Sequence, residues 1–141
     1  MILKDDFAAI FSASNAIPQG LSQIKQYKPE ERYLLQVIRN AAAERNCATE
    51  YHLARIYQAS LPISPIDARD PLAEAKARLI RVINAYAVQF SIRSMPDDVV
   101  PYKDGEFLTA EAVAEDTMVR VTLPTIYDAK GVICLGEWEP A

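Results

Sequence analysis

At 141 residues the chain fits one ordinary domain. With half its residues hydrophobic and 24% charged, it lies far from the disordered class and needs neither metal nor disulfides to fold. A net charge of −4 disfavours sequence-independent nucleic-acid binding through phosphate neutralisation, and no stretch approaches the roughly 20 apolar residues of a membrane span.

Four glycines against nine prolines suit helices separated by Pro-containing connections better than a sheet of hairpins. Leu3, Phe7, Ile10 and Phe11 stand at helical spacing over residues 3–13, and Pro18-Gln19-Gly20 then breaks the chain. Pro29 before Glu30-Glu31 opens a helix, with Pro tolerated in the first turn and acids favoured by the dipole. Leu34, Val37, Ile38, Ala41 and Ala42 follow at i, i+3, i+4, i+7 and i+8. A second helix is predicted over 47–60, closed by Pro62 and Pro65. Asp70-Pro71 reads as N-cap and first helical residue. From there Leu72, Ala75, Leu79, Val82, Ile83, Tyr86 and Phe90 form one apolar stripe.

Pro96 and Pro101 fall in an acid-rich loop. Beyond it, Thr109 caps a predicted helix whose inner face is Ala110, Val113, Ala114, Thr117, Met118 and Val121. The same region supports an alternative. Met118–Leu123 alternates with strand-favouring residues, and Asp128-Ala129-Lys130-Gly131 can turn a hairpin into Val132–Leu135. Pro124 kinks a helix there or confines a strand to an edge. The expected fold is therefore all-α, a single domain spanning 1–141 with five to seven helices; the alternative is α+β, with a C-terminal β-hairpin.

One segment gathers chemistry-bearing residues. Ala43-Glu44-Arg45-Asn46-Cys47-Ala48-Thr49-Glu50-Tyr51-His52 holds a thiol, two carboxylates and the chain's one histidine. On a single helix Cys47 and Tyr51 lie one turn apart, as do Ala48 and His52. Glu50 falls near Cys47, whereas His52 is rotated away from the thiol. A nucleophile–base pair needs hydrogen-bond reach, which i, i+5 does not give. On their own, Cys47 reads as a small buried hydrophobe and His52 as a packed histidine.

Taken with its flanks, Pro29–Leu61 resembles the core of the alkylhydroperoxidase/carboxymuconolactone decarboxylase superfamily. The matching residues are Glu30-Glu31-Arg32, the apolar helix to Ala43, then Asn46–His52 and Ala59-Ser60-Leu61. Further on, Asp104–Glu111 is similar to the family's Gly-Phe-x-x-x-Glu opening of a late helix, and Thr125-Ile126-Tyr127 to its Thr-containing stretch near the C-terminus. The resemblance implies an all-helical protomer that assembles into trimers or hexamers, with a small-molecule pocket between helices near His52. It makes Cys47, Glu50 and His52 the candidate catalytic residues, Cys47 as thiolate and Glu50 or His52 as proton carriers. The peroxidase branch uses Cys-x-x-Cys-x-x-x-His. Here Glu50 and Ala54 follow Cys47 at those spacings, and anchoring on His52 puts Arg45 and Ala48 at the cysteine positions.

No Gly-rich phosphate loop, dinucleotide fingerprint or Ser elbow occurs, and one His with two distant Cys offers no zinc spacing; neither a cofactor nor a metal is expected. Charge is uneven: residues 1–95 carry 12 basic and 9 acidic side chains, residues 96–141 carry 3 and 10. Opposed patches register association between copies, although two differently solvated faces explain them more simply. A homo-oligomer without nucleic-acid or membrane partners is expected. Two cysteines and an N-terminus without a basic, apolar leader point to a cytoplasmic protein with Cys47 and Cys134 unpaired. Trp138 is expected to anchor the C-terminus. Two functions fit: a divergent decarboxylase-like protein acting on a small molecule near His52, or a non-catalytic assembly or interaction subunit.

Overall fold

The computed structural model describes residues 4–44, 49–63, 66–109 and 112–141. The N-terminal two thirds follow the helical stripes. Helix α1 (Lys4–Asn15) carries Asp5 and Asp6 in its first turn and buries Phe7, Ile10 and Ala13. A single turn, α2 (Leu21–Ile24), follows the Pro18–Gly20 break. Helix α3 (Pro29–Ala43) opens with Pro in the first turn, and the Lys28 backbone N–H donates to Glu31 Oε1 at 2.9 Å. It buries Leu34, Leu35, Val37, Ile38 and Ala41, one side of a 3.6-residue period.

Helix α4 (Glu50–Ser60) is capped by Thr49 and packs on α3, and α5 (Ala73–Gln89) packs on α1 and α4. Asp70 Oδ1 accepts from the Leu72 N–H at 2.8 Å, so the carboxylate organises the entry to α5. The helix ends where Ser91 turns left-handed at φ 57° and the Ile92 N–H reaches back to the Ala87 carbonyl at 2.8 Å, the six-to-one bond of a Schellman end. At the other end of α5, Lys76 Nζ lies 2.6 Å from Asp70 and 3.1 Å from Glu31, and 4.8 Å above the Tyr27 ring. That cluster ties the starts of α3 and α5 together.

The last third overturns the all-α expectation. Among the described residues six strands form two antiparallel three-stranded sheets, making the fold α+β, with 45% of those residues helical and 19% in strands. In chain order they are β1 (Arg93–Ser94), β2 (Val99–Pro101), β3 (Met118–Leu123), β4 (Ile126–Asp128), β5 (Gly131–Cys134) and β6 (Glu137–Pro140). No helix runs from Thr109 to Val121: Asp116 is left-handed at φ 67°, and Ala110 and Glu111 lie outside the described residues. Period 2 prevails because Val119 and Leu123 are buried on one side of β3 while Met118, Arg120 and Thr122 face solvent. Nor do the described residues of Asp104–Glu111, 104–109, form the expected late helix. Residues 104–106 make a turn, and Phe107 bridges to Gly136.

Strands β3 to β6 amount to one long hairpin with a bend, flanked by β1 and β2. β3 runs into β4 through Pro124-Thr125, the chain turns at Asp128–Gly131, and β5 runs into β6 through Leu135-Gly136. Asp128 Oδ1 accepts from the Lys130 and Gly131 N–H groups at 2.8 and 3.1 Å, and Gly131 takes φ 133°, a conformation that favours glycine. The near half, β4–β5 with β1, lies on α4 and joins the main core through Ile126 and Cys134. The far half, β3 and β6 with β2, has a smaller core of Tyr102, Phe107 and Val119. Trp138 packs edge-on against Tyr102 and donates to the Leu108 carbonyl at 3.1 Å, anchoring the C-terminal strand.

At the bend the backbones approach closely. A Cβ on Gly136 would meet the Leu123 carbonyl at 2.6 Å and Thr125 Oγ1 at 2.7 Å. The polar groups this leaves are satisfied from outside the hairpin. Gln58 Nε2 on α4 donates to the Pro124 and Leu135 carbonyls, both at 2.9 Å. Thr125 Oγ1 and the Gly136 N–H donate to the Glu106 carbonyl at 2.7 and 2.9 Å. Buried backbone groups need such partners.

Candidate functional site

His52 sits in the first turn of α4, and both of its ring nitrogens are engaged. Nδ1 lies 2.5 Å from Thr49 Oγ1, and Nε2 lies 2.5 Å from Glu44 Oε2. Thr49 Oγ1 also accepts from the His52 backbone N–H at 3.3 Å. The imidazole therefore bridges the end of α3 to the N-cap of α4. Glu50 is exposed in that same first turn, where a carboxylate complements the helix dipole. Cys47 lies outside the described residues; among those described, the structure pairs His52 with Glu44.

The other thiol, Cys134, is free and buried at the end of β5. Burial pushes its pKa up to about 11, against the opposing charge of Arg55. A thiol so shifted is protonated at neutral pH and a poor nucleophile. Tyr127 is pushed up to about 12 by burial and by its hydrogen bond to the Glu106 carboxylate. Among the described residues no cluster of three His, Cys, Asp or Glu side chains could hold a metal ion. No helix among them is long and apolar enough to cross a membrane.

An opening lies beside this segment, where the bent hairpin meets α3 and α4. It is a cleft of about 270 Å³ walled by Tyr33, Tyr51, Gln58, Leu108 and Leu135, with Arg55 among its lining residues. A smaller groove of about 160 Å³ adjoins it through Tyr51 and Arg55 and reaches Asn40, Glu44 and His52. Arg55 is half-buried. Desolvation opposes its charge, yet the Tyr51 hydrogen bond and the nearby Tyr33 hydroxyl leave its pKa above the ordinary arginine value. No carboxylate among the described residues lies within ion-pair distance of Arg55, as is also true of Arg32, Arg39, Arg78 and Arg93 but not of Arg69, Arg81 and Arg120. Tyr33, Tyr51, Leu108 and Leu135 are all substantially exposed around it.

Sequence reading missed Arg55 and Tyr33 as candidates. The available signal was Tyr51 and Arg55 at i, i+4 on α4, displaced from the buried Leu53–Ile56 face. The other wall, Leu108 to Glu137, exists only because the chain folds as a bent hairpin. Comparison with family models, curated proteins and solved structures finds no match for this chain.

Proposed function

We propose that the chain is a non-catalytic binding module whose ligand enters the cleft between α3, α4 and the bent hairpin. The observation that carries this reading is a half-buried arginine, without an ion-pair partner among the described residues, set among exposed tyrosines in a preformed opening. Binding sites combine such apolar and aromatic walls with few polar groups that fix orientation. The cleft walls are held in place, since Gln58 staples α4 to the bend and Trp138 holds Leu108. His52, committed to Thr49 and Glu44, serves the α3–α4 connection.

A second reading keeps chemistry at His52, acting on a small molecule in the adjoining groove, and is favoured by the placement of Asn40, Glu44 and Arg55 around it. A fragment screen by amide chemical-shift mapping separates the two. The binding module predicts hits that move Tyr51, Leu108 and Leu135 and survive His52→Gln. Hits confined to Asn40 and Glu44 and lost in His52→Gln would replace it with the enzyme reading.

A further inference from the structure

Taking the cleft as the binding surface, its lining specifies the chemistry of the occupant more closely. The guanidinium of Arg55 presents a planar fork of donors, which matches a carboxylate in two parallel hydrogen bonds. Water is partly excluded around it, since Arg55 is half-buried and Cys134 and Gln58 beside it are buried. An anion here would face weaker screening than on an open surface. Among the described residues the other charged lining residue is Glu137, which is exposed. Among the described residues of the lining, one cation with one acid nearby suits a single negative charge better than a phosphate dianion. Around the arginine stand two half-exposed tyrosine rings, Tyr33 and Tyr51, and the apolar Leu108 and Leu135. They would cover an aromatic body of modest size, in keeping with a cleft of about 270 Å³.

We propose that the cleft binds a small aromatic monocarboxylate, its carboxylate on the Arg55 guanidinium and its ring between Tyr33, Tyr51 and Leu135. Glu137 gives the discrimination a second component, because a second negative charge on the ligand would be repelled there.

The test is a titration of the full chain with 3-phenylpropionate, 3-phenylpropanol and phenethylamine. It is read by calorimetry and by Trp138, whose indole N–H is tied to the cleft-wall residue Leu108. The acid should bind at least tenfold more tightly than the alcohol, and the amine should not bind. Arg55→Met should abolish that preference while Arg55→Lys, which lacks the fork, should retain only part of it. Circular dichroism melts of both variants control for folding, and the wild-type comparison of acid with alcohol needs no variant. Equal binding of acid and alcohol, dependent on Tyr51, would overturn the carboxylate assignment and leave the cleft reading intact. Absence of binding by all three probes, with fragment hits elsewhere on the surface, would overturn both.

Discussion

The two cores of this molecule are built on different principles. Among the described residues the main core joins twenty buried side chains from four helices, the segments joining them and the near half of the hairpin, whereas the far half rests on Tyr102, Phe107 and Val119. Apolar burial contributes roughly 25 cal/mol per Å², so the first assembly can stand without the second. The reverse does not hold. Small sheets need support from a packed neighbour, and the far strands receive theirs through the bend at Pro124-Thr125 and Gly136. Stability is thus concentrated in the helical part, and the cleft lies where the two parts meet.

That inequality predicts its largest effect in α4. Ile56 is fully buried between the helices, and Ile56→Ala should destabilise the whole chain by about 4 kcal/mol through lost transfer energy and a residual cavity. Phe107→Ala removes a larger side chain but from the smaller core. It should strip hydrogen-exchange protection from Val100, Val119 and Val121 while the α4 and α5 amides stay protected. Thermal melts with residue-resolved exchange check both. Parallel loss of protection in α4 and β3 on Phe107→Ala would mean that the two cores are one cooperative unit.

A smaller effect, about 3 kcal/mol, is expected from Lys76→Ala, which strands Glu31 and Asp70 beside each other with little access to water. This variant also has a pH signature. The Lys76 ammonium and the Leu72 N–H hold the Asp70 carboxyl below its ordinary range. Its contribution is therefore present above the unfolded value of about 3.9 and lost as pH falls through the folded one. Burial works against the charge of Lys76, but its bonds to Asp70 and Glu31 prevail and its pKa is raised. That contribution is present below about 10.4 and lost as pH rises through the folded value. Cys134, also raised, shares the alkaline limb, so the acid limb is diagnostic. Chemical denaturation between pH 3 and 7 should show a shallower acid decline in Lys76→Ala than in the wild type. Equal slopes would show that Asp70 draws its stabilisation from the Leu72 N–H alone.

The same contrast explains what the sequence could show. The stripes of α3 and α5 and the opening at Pro29 are local signals that produce helices close to their expected places, whereas α5 starts at Ala73 with Leu72 at the N-cap, so Asp70-Pro71 forms the turn before the helix rather than its cap and first residue. Residues 110–121 carry a helical period as well, but there the competing period 2 of Val119, Val121 and Leu123 wins because β2 and β6 flank β3 on both sides. Those partners lie in distant segments, which no window along the chain contains. The candidate site divides in the same way. His52 was visible as the single histidine, whereas its bonds to Thr49 and Glu44 follow from how α3 meets α4. Arg55 gains its surroundings from Leu108, Cys134 and Leu135, between 53 and 80 residues further along, and was silent in a linear reading.

The smallest predicted effect sharpens the comparison most, because it acts on the joint alone. Gly136 needs no unusual φ; it needs the absence of a side chain, since its Cα faces the Leu123 carbonyl and the Thr125 hydroxyl and amide. A methyl group there must push these backbone atoms apart, and overpacking of this kind costs about 2 kcal/mol. The displacement would lengthen the Gly136–Glu106 and Leu108–Gly136 hydrogen bonds, now both 2.9 Å, that lace the 104–109 loop to the bend. Gly136→Ala should therefore lower the melting temperature by several degrees. It should also shift Trp138 fluorescence and expose the Leu108 amide to exchange, leaving α1, α3 and α5 protected. Because Leu108 and Leu135 wall the cleft, binding of 3-phenylpropionate should weaken in the same variant although Arg55 is untouched. Unchanged binding alongside a disturbed Trp138 would confine the ligand to the α3–α4 wall and remove the hairpin from the site.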